Sequence, residues 1–232
     1  MSPPRACMAA RNNADLYAAV FTAKGLAFRR DAAGFVALDP PPPYYGHGVV
    51  TQPGAAEDLL RSVTEVHGPR VAIKDSFCEI DGPAHGLETL FDATWIWRAP
   101  GRTRPGRWRA VTTAIGLEQW EAAWKESSPT DGRMFPEGIL AHPGMTVLVA
   151  TEDGHVRAGC LANRSEDAIG MSNVFGRAAM ADAAEAVGSC APDLPVVGYE
   201  RGQALFEALT AGFQAIGALR VLVPAQDNGP ST

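Results

Sequence analysis

The chain has 232 residues, of which 46% are hydrophobic and 20% charged, and it carries a formal charge of −6 at neutral pH. That is enough apolar mass to bury a sizeable core, as one large domain or two small ones, and the acidic balance argues against a general nucleic-acid or anionic-membrane surface. Four dispersed cysteines (Cys7, Cys78, Cys160, Cys190), with no C-x-x-C pair and no histidine at metal-ligand spacing, point to a reduced, metal-free compartment. With no apolar run near membrane-span length, a cytoplasmic protein is expected.

In chain order, Asn12-Asn13-Ala14-Asp15 opens a helical pattern with apolar residues at Leu16, Ala19, Val20 and Ala23. Asn12 or Asn13 is the expected N-cap and Gly25 the C-terminal stop. Residues 26–28 and 35–38 flank Asp31-Ala-Ala-Gly34 and read as a hairpin. Pro40 to Pro43 hold an extended stretch before Tyr44, Tyr45 and a strand over residues 49–51. Residues 55–66 are amphipathic, with Leu59, Leu60 and Val63 on one face.

A strand at residues 71–77 then leads through a short Gly/Pro/His connection to Gly86-Leu87 and an apolar run at 91–97. The same plan returns later: a strand at 196–200, a helix from Gln203 to Leu209, Gly212-Phe213, and an apolar run at 218–223. Two copies of one plan predict two halves of similar build. The Pro-, Gly- and Arg-rich stretch between two Trp-bearing strands is the expected boundary, giving residues 1–98, a linker at 99–107 and residues 108–232. The basic patch from Arg102 to Arg109 reads either as solvated linker or as a local phosphate contact. In each half the last two strands are expected to run parallel, and the helix at 203–211 supplies the crossover that parallel strands need.

The second half continues with a strand at 108–113, a helix at 117–125 carrying Trp120 and Trp124, and strands at 146–151 and 156–162 around Glu152-Asp153-Gly154. A strand at 169–175 and an Ala-rich helix at 178–187 follow. The order is β-α-β-β-β-α-β-α-β. That order, the hairpin across residues 147–161, the strand Ile169-Gly-Met-Ser-Asn-Val-Phe175, and the closing Ala204-Leu-Phe-Glu-Ala-Leu-Thr-Ala-Gly212-Phe213 together resemble the GNAT superfamily of acyl-CoA-dependent N-acyltransferases. The resemblance implies an α/β fold built on a mixed sheet, in a tandem arrangement whose N-terminal half is degenerate. It further implies acetyl-CoA as acyl donor and a small-molecule or peptide amine as acceptor, with no nucleic-acid or membrane partner. The alternative is a non-catalytic binding module on the same fold.

In that family the CoA pyrophosphate sits on backbone amides after the fourth strand, at a helix N-terminus, where exposed N–H groups and the helix dipole favour an anion. The matching segment here is Asn173, Val174, Phe175, Gly176, Arg177, Ala178 and Ala179. It departs from the family's R/Q-x-x-G-x-G/A pattern, and a plain strand-to-helix turn that needs a glycine accounts for Gly176 equally well. Where many members carry a tyrosine that protonates the leaving thiolate, this chain has Ala208, so Ser172, Tyr199 or a water must serve. Glu200 and Glu137, near strand ends, are the candidate bases. The resemblance thus gives Tyr199, Glu200 and Ser172 as catalytic candidates, with backbone N–H groups of residues 172–175 polarising the thioester carbonyl.

Other polar groups stay open at this level. Lys74-Asp75-Ser76 is either a ligand-facing cluster or a salt-bridged strand end. Asn163-Arg164-Ser165 and Ser172-Asn173 either converge on a pocket or bond locally at a bulge. The five tryptophans and Cys160 read as core. Ser76, His85 and Asp92 lack the G-x-S-x-G elbow of a hydrolase.

Overall fold

The computed structural model describes residues 4–101, 106–176 and 179–226. Helix α1 (Arg5–Lys24) starts earlier than the sequence pattern suggests. Asn12 and Asn13 therefore lie inside it, both buried, and the N-cap is Pro4. Asparagine is a weak helix-interior residue by propensity, but here each amide has a tertiary partner that outweighs that preference. The helix ends as expected at Gly25, whose φ of 69° is left-handed and whose N–H returns to the Phe21 and Thr22 carbonyls.

β1 (Phe28–Arg30) and β2 (Gly34–Ala37) form the first hairpin, closed by Asp31 Oδ1 accepting from the Ala33 and Gly34 N–H groups. β3 (Gly48–Val50), α2 (Ala56–His67) and β4 (Ile73–Asp75) come next. A single 3-10 turn at Pro83–His85 then connects to the long β5 (Leu87–Arg98), where the second copy of the plan has a helix. Beyond residues 102–105, which lie outside the described residues and include part of the predicted linker and basic patch, come β6 (Trp108–Ala110), α3 (Ala114–Lys125), the short α4 (Gly138–Ala141), and β7 (Met145–Glu152). β8 (His155–Arg164), β9 (Ile169–Gly176), α5 (Ala179–Cys190), β10 (Val196–Glu200), α6 (Gly202–Thr210) and β11 (Gln214–Pro224) complete the chain.

Among the described residues, eleven strands join one sheet in the order β1-β2-β3-β4-β11-β5-β10-β9-β8-β7-β6. This corrects one expectation. β10 and β11 do run parallel with α6 crossing between them, but they are not neighbours: β5 lies between, antiparallel to both. Each half's last strand thus pairs with the other half's penultimate strand, β5 with β10 and β11 with β4. β5 and β11 are themselves paired from Gln214↔Trp97 to Pro224↔Leu87, which makes the seam the longest ladder of the sheet.

Strand alternation sorts the core into two layers. On β8, Leu161 faces the layer of α1, α3 and α4, whereas Cys160 faces α5. On β4, Ile73 packs with Leu59 and Val63 of α2, whereas Lys74 points to the α1 side, where it meets Asn13. Trp120 is fully buried, donates its indole N–H to the Leu148 carbonyl at 2.8 Å, and lies edge-on to Phe135 and Phe175. Trp95 is likewise buried, with its N–H on the Ser76 carbonyl at 2.9 Å. Burial of such rings dominates the apolar stabilisation. Helix α1 contacts strands of both halves, including β2, β3, β9 and β10, and clamps the seam. No described helix is long and apolar enough to cross a membrane.

Candidate active site

β9 and β10 run parallel but pair at only two positions, Val196↔Ile169 and Val197↔Gly170. Beyond Gly170, no described strand pairs with β9 on that side. On its other side, the β8–β9 register jumps between Gly159↔Phe175 and Leu161↔Ser172. Asn173 takes a left-handed φ of 54° in that bulge. Two irregularities of one strand therefore open a gap in the middle of a sheet. Interior backbone N–H and C=O groups left without a ladder partner need another, from water or a ligand.

The gap leads into a cavity of about 310 Å³ under α1. Tyr17 of α1, Tyr45, Lys74 of β4, Trp95 of β5, Ser172 of β9 and Tyr199 of β10 form its wall. Both halves contribute to it. The three catalytic candidates Ser172, Tyr199 and Glu200 all line this cavity, as do Asn173 and Val174. Consecutive strand residues point to opposite faces, so Tyr199 and Glu200 border the parting from its two sides. Glu137 does not line the cavity and stands exposed at the start of α4.

The remaining cofactor candidates separate. Phe175 packs on Trp120, with ring centroids 5.2 Å apart, and belongs to the core. Gly176 lines a different cleft, beside Arg107, Arg157 and Asp182. Its φ of 101°, and the collision an added Cβ would make with the backbone of Arg157 and Ala158, require glycine whether or not a phosphate binds there. Arg177 and Ala178, and the side chain of Ala179, lie outside the described residues. Ala208 is fully buried in the core beneath α6, so no hydroxyl stands at that position. Burial likewise places Cys160 in the core and raises its thiol pKa.

The convergence of residues 163–165 with residues 172–173 takes a particular form. Asn163 Nδ2 donates to Asn12 O and Asn12 Oδ1 at 2.9 and 3.0 Å, while Asn12 Nδ2 donates to Asn163 O at 3.0 Å and Ser165 Oγ at 2.8 Å. This buried amide pair ties α1 to β8 at the edge of the cavity. It fits over Gly170, where a Cβ would strike both amide oxygens. At the bulge, Asn173 Nδ2 donates to Ser172 Oγ at 3.2 Å. Asn163, Ser172 and Asn173 thus share the cavity wall, and Ser172 and Asn173 are also bonded locally at the bulge.

Lys74 carries more weight than its sequence context indicates. Lys74, Asp75 and Ser76 are all buried, and Asp75 is occupied locally, accepting from the Phe77 and Ile80 N–H groups. Lys74 is only 3% exposed, donates to Asn13 Oδ1 at 2.8 Å, and places its Nζ 4.2 Å from the Tyr199 ring centroid. Among the described residues it has no carboxylate partner, so of the two readings the salt-bridged strand end fails at Lys74. His85 and Asp92 pair elsewhere, with Glu57 and Arg220, and form no triad with Ser76.

Burial shapes the acid–base properties of this wall. It lowers the Lys74 pKa to about 7. Glu200 is raised to about 7, chiefly by burial and secondarily by Glu207 of α6. Burial first and the Glu200 charge second raise Tyr199 to about 12. Tyr17 and Tyr45 are raised as well, again by burial. A carboxyl that titrates near neutrality inside a cleft is matched to proton transfer at physiological pH.

No family model and no curated protein matches the sequence. Solved structures do match. A protein from the GNAT family of Novosphingobium aromaticivorans superposes with a TM-score of 0.57 at 14% identity, covering 90% of this chain and 97% of its own. A GCN5-related N-acetyltransferase from Kribbella flavida gives 0.56 at 15% identity, covering 97% and 96%. A functionally unknown conserved protein from Staphylococcus epidermidis gives 0.56 at 11% identity, covering 89% and 98%. These matches extend over both halves of the chain. The fold is that of the GNAT N-acetyltransferases, a mixed α/β sheet parted at β9 and β10.

Proposed function

We propose that this protein is a cytoplasmic N-acyltransferase that moves an acyl group, acetyl in the simplest case, from acyl-CoA to the nitrogen of an amine. The observation that carries the reading is the placement of Glu200, with its pKa near 7, at the point where β9 and β10 part. The open edge of β9 supports the donor side. A chain of amides laid along residues 171–174 would complete the ladder that β10 abandons, and the pantetheine arm of CoA supplies such amides. Bulge N–H groups aimed at the thioester oxygen would stabilise charge as it develops there.

In the transfer, the amine nitrogen attacks the thioester carbonyl, the C–N bond forms and the C–S bond breaks. Glu200 takes the proton that the nitrogen loses, directly or through a water. The departing thiolate is left to Ser172, Tyr199 or a water. At about 12, Tyr199 is a weaker acid than an alkyl thiol, near 8.5, so it supports the sulfur by hydrogen bonding more readily than by full proton transfer. Ser172, whose Oγ accepts from Asn173, keeps its own hydrogen free for the same task.

The departures at residues 173–179 and at Ala208 favour the second reading, a binding module without productive chemistry. Thermal shift separates the readings in stages. Acetyl-CoA and desulfo-CoA each raise the melting temperature by mass action if the cleft takes CoA at all. Release of CoA thiol in the presence of a panel of amines then distinguishes an enzyme from a module. No shift at millimolar ligand would overturn the acyltransferase reading and leave a non-catalytic module that does not take CoA. A shift without thiol release from any amine would leave the binding module.

A further inference from the structure

Apart from its tyrosines, the cavity wall holds one cation, Lys74, and one carboxyl, Glu200. The cation is the more unusual of the two. A buried ammonium is expensive unless it is paired, and structures usually satisfy it with a carboxylate. Lys74 has a neutral amide, Asn13 Oδ1, and two aromatic faces, Tyr199 at 4.2 Å and Tyr17 at 5.2 Å. An ammonium has three donors, and the single described hydrogen bond leaves two of them for the cavity. Aromatic side chains, among them Tyr17, Tyr45, Trp95 and Tyr199, line the cavity alongside the polar groups of Asn12, Asn163 and Ser172.

From this geometry we infer that the acceptor is an amino-carboxylate with an apolar or aromatic body, whose carboxylate is received by Lys74 while its amine is presented at the parting of β9 and β10. The inference rests on the acyl-transfer reading for the fate of the amine, but the carboxylate recognition stands on the cavity alone. Charge complementarity supports it: a zwitterion brings an anion to the one cation and an ammonium toward the one acid. The cost of holding the cation buried, visible in its lowered pKa, is offset when the carboxylate arrives. Aromatic rings on several sides suit a flat apolar body. The cavity volume of about 310 Å³ accommodates a single small molecule and not a folded polypeptide surface.

The test uses matched probes that differ at the carboxylate alone. N-Acetyl-L-phenylalanine and N-acetyl-L-phenylalaninamide are titrated into the full chain by calorimetry, which needs no turnover. The carboxylate should bind about 10- to 100-fold more tightly than the carboxamide, the range for a charge-assisted hydrogen bond. Lys74→Met, close in length and without charge, should erase that ratio. Where thiol release is detected, the ratio of kcat/KM for L-phenylalanine over phenethylamine should fall by the same factor in Lys74→Met. A purely catalytic lysine would instead depress both substrates equally and leave the ratio intact. Equal affinity of the two acetyl compounds for the parent protein, or a selectivity ratio that survives Lys74→Met, overturns the inference while leaving acyl transfer standing. Carboxylate-selective, Lys74-dependent binding in a protein that releases no thiol would sustain the recognition and sink the transfer.

Discussion

The two halves of the molecule contain the same device, a parallel strand pair bridged by a helix, and treat it in opposite ways. In the first half β3 and β4 pair at Gly48↔Ile73 and Val49↔Lys74, with α2 between them in sequence. In the second, β9 and β10 pair at two positions with α5 between them. Both pairs are equally short. The first is nonetheless closed at both ends. His47 and Ala72 exchange two hydrogen bonds, His47 N to Ala72 O at 2.7 Å and Ala72 N to the His47 ring at 2.9 Å. At the far end the Gly54 N–H, just ahead of α2, reaches both oxygens of Glu79 at 2.8 and 2.9 Å. A carboxylate at the start of a helix is favourably placed against its dipole. The second pair has a bulge in place of such a clamp, and its opening is the cavity. Short parallel pairing makes a cleft possible; a clamp at the end of the pair closes it, and a bulge there keeps it open.

The largest effect that tests this contrast is at Glu200. Glu200→Gln should lower kcat about 10²- to 10⁴-fold, the range for losing a general base, with little change in acetyl-CoA affinity. In the parent, the rate should fall below about pH 7 as the carboxyl protonates. A flat profile between pH 5 and 8 would remove Glu200 from the mechanism.

A second effect is structural. Gly170→Ala drives a Cβ into the Asn12–Asn163 amide pair that joins α1 to β8. It should destabilise the protein by about 2–4 kcal/mol in denaturant unfolding, from overpacking and the loss of buried hydrogen bonds. A change below about 0.5 kcal/mol, the size of an ordinary surface substitution, would show that the pair is not what holds this edge of the cavity.

A third effect comes from linkage. Glu200 titrates higher in the folded chain than its ordinary carboxyl value, so the fold binds its proton more tightly than the unfolded chain does. Its contribution is therefore fully favourable at acid pH and is lost as pH rises through about 7. Glu200→Gln should then gain up to about 3 kcal/mol over the parent at pH 8 and little or nothing at pH 4. The same substitution that removes activity would stabilise the molecule. A gain of equal size at both pH values would point to a packing effect.

The smallest effect is at the closed pair. Glu79→Gln weakens the clamp on Gly54 and should cost about 0.5–1 kcal/mol, or a few degrees in Tm, without altering transfer kinetics.

How much of this was legible in the sequence divides by the range of the interactions. Local signals were read well: Gly25 ends α1, Asp31 to Gly34 turns the first hairpin, and the order of elements through the second half came out as expected, with only the four residues of α4 unmarked. The exchange of β5 and β11 left no local trace, because pairing partners more than a hundred residues apart do not alter a strand's own pattern. Asn12 and Asn13 looked like caps because propensity favours that role, and only Asn163, Ser165 and Lys74, distant in sequence, explain their place inside the helix. Lys74-Asp75-Ser76 allowed both a ligand-facing cluster and a salt-bridged strand end. Nothing near it in sequence announces that Tyr17 and Tyr199 will bury it.

The contrast between the halves reduces to one proposal, that the parting of β9 and β10 takes acyl-CoA and its counterpart at β3 and β4 does not. Calorimetric titration of the full chain with acetyl-CoA measures this most directly, because it counts sites. Saturable binding at one molecule per chain is expected. Two sites per chain would contradict the contrast between the halves, and no binding at millimolar acetyl-CoA would contradict the assignment of the cleft itself.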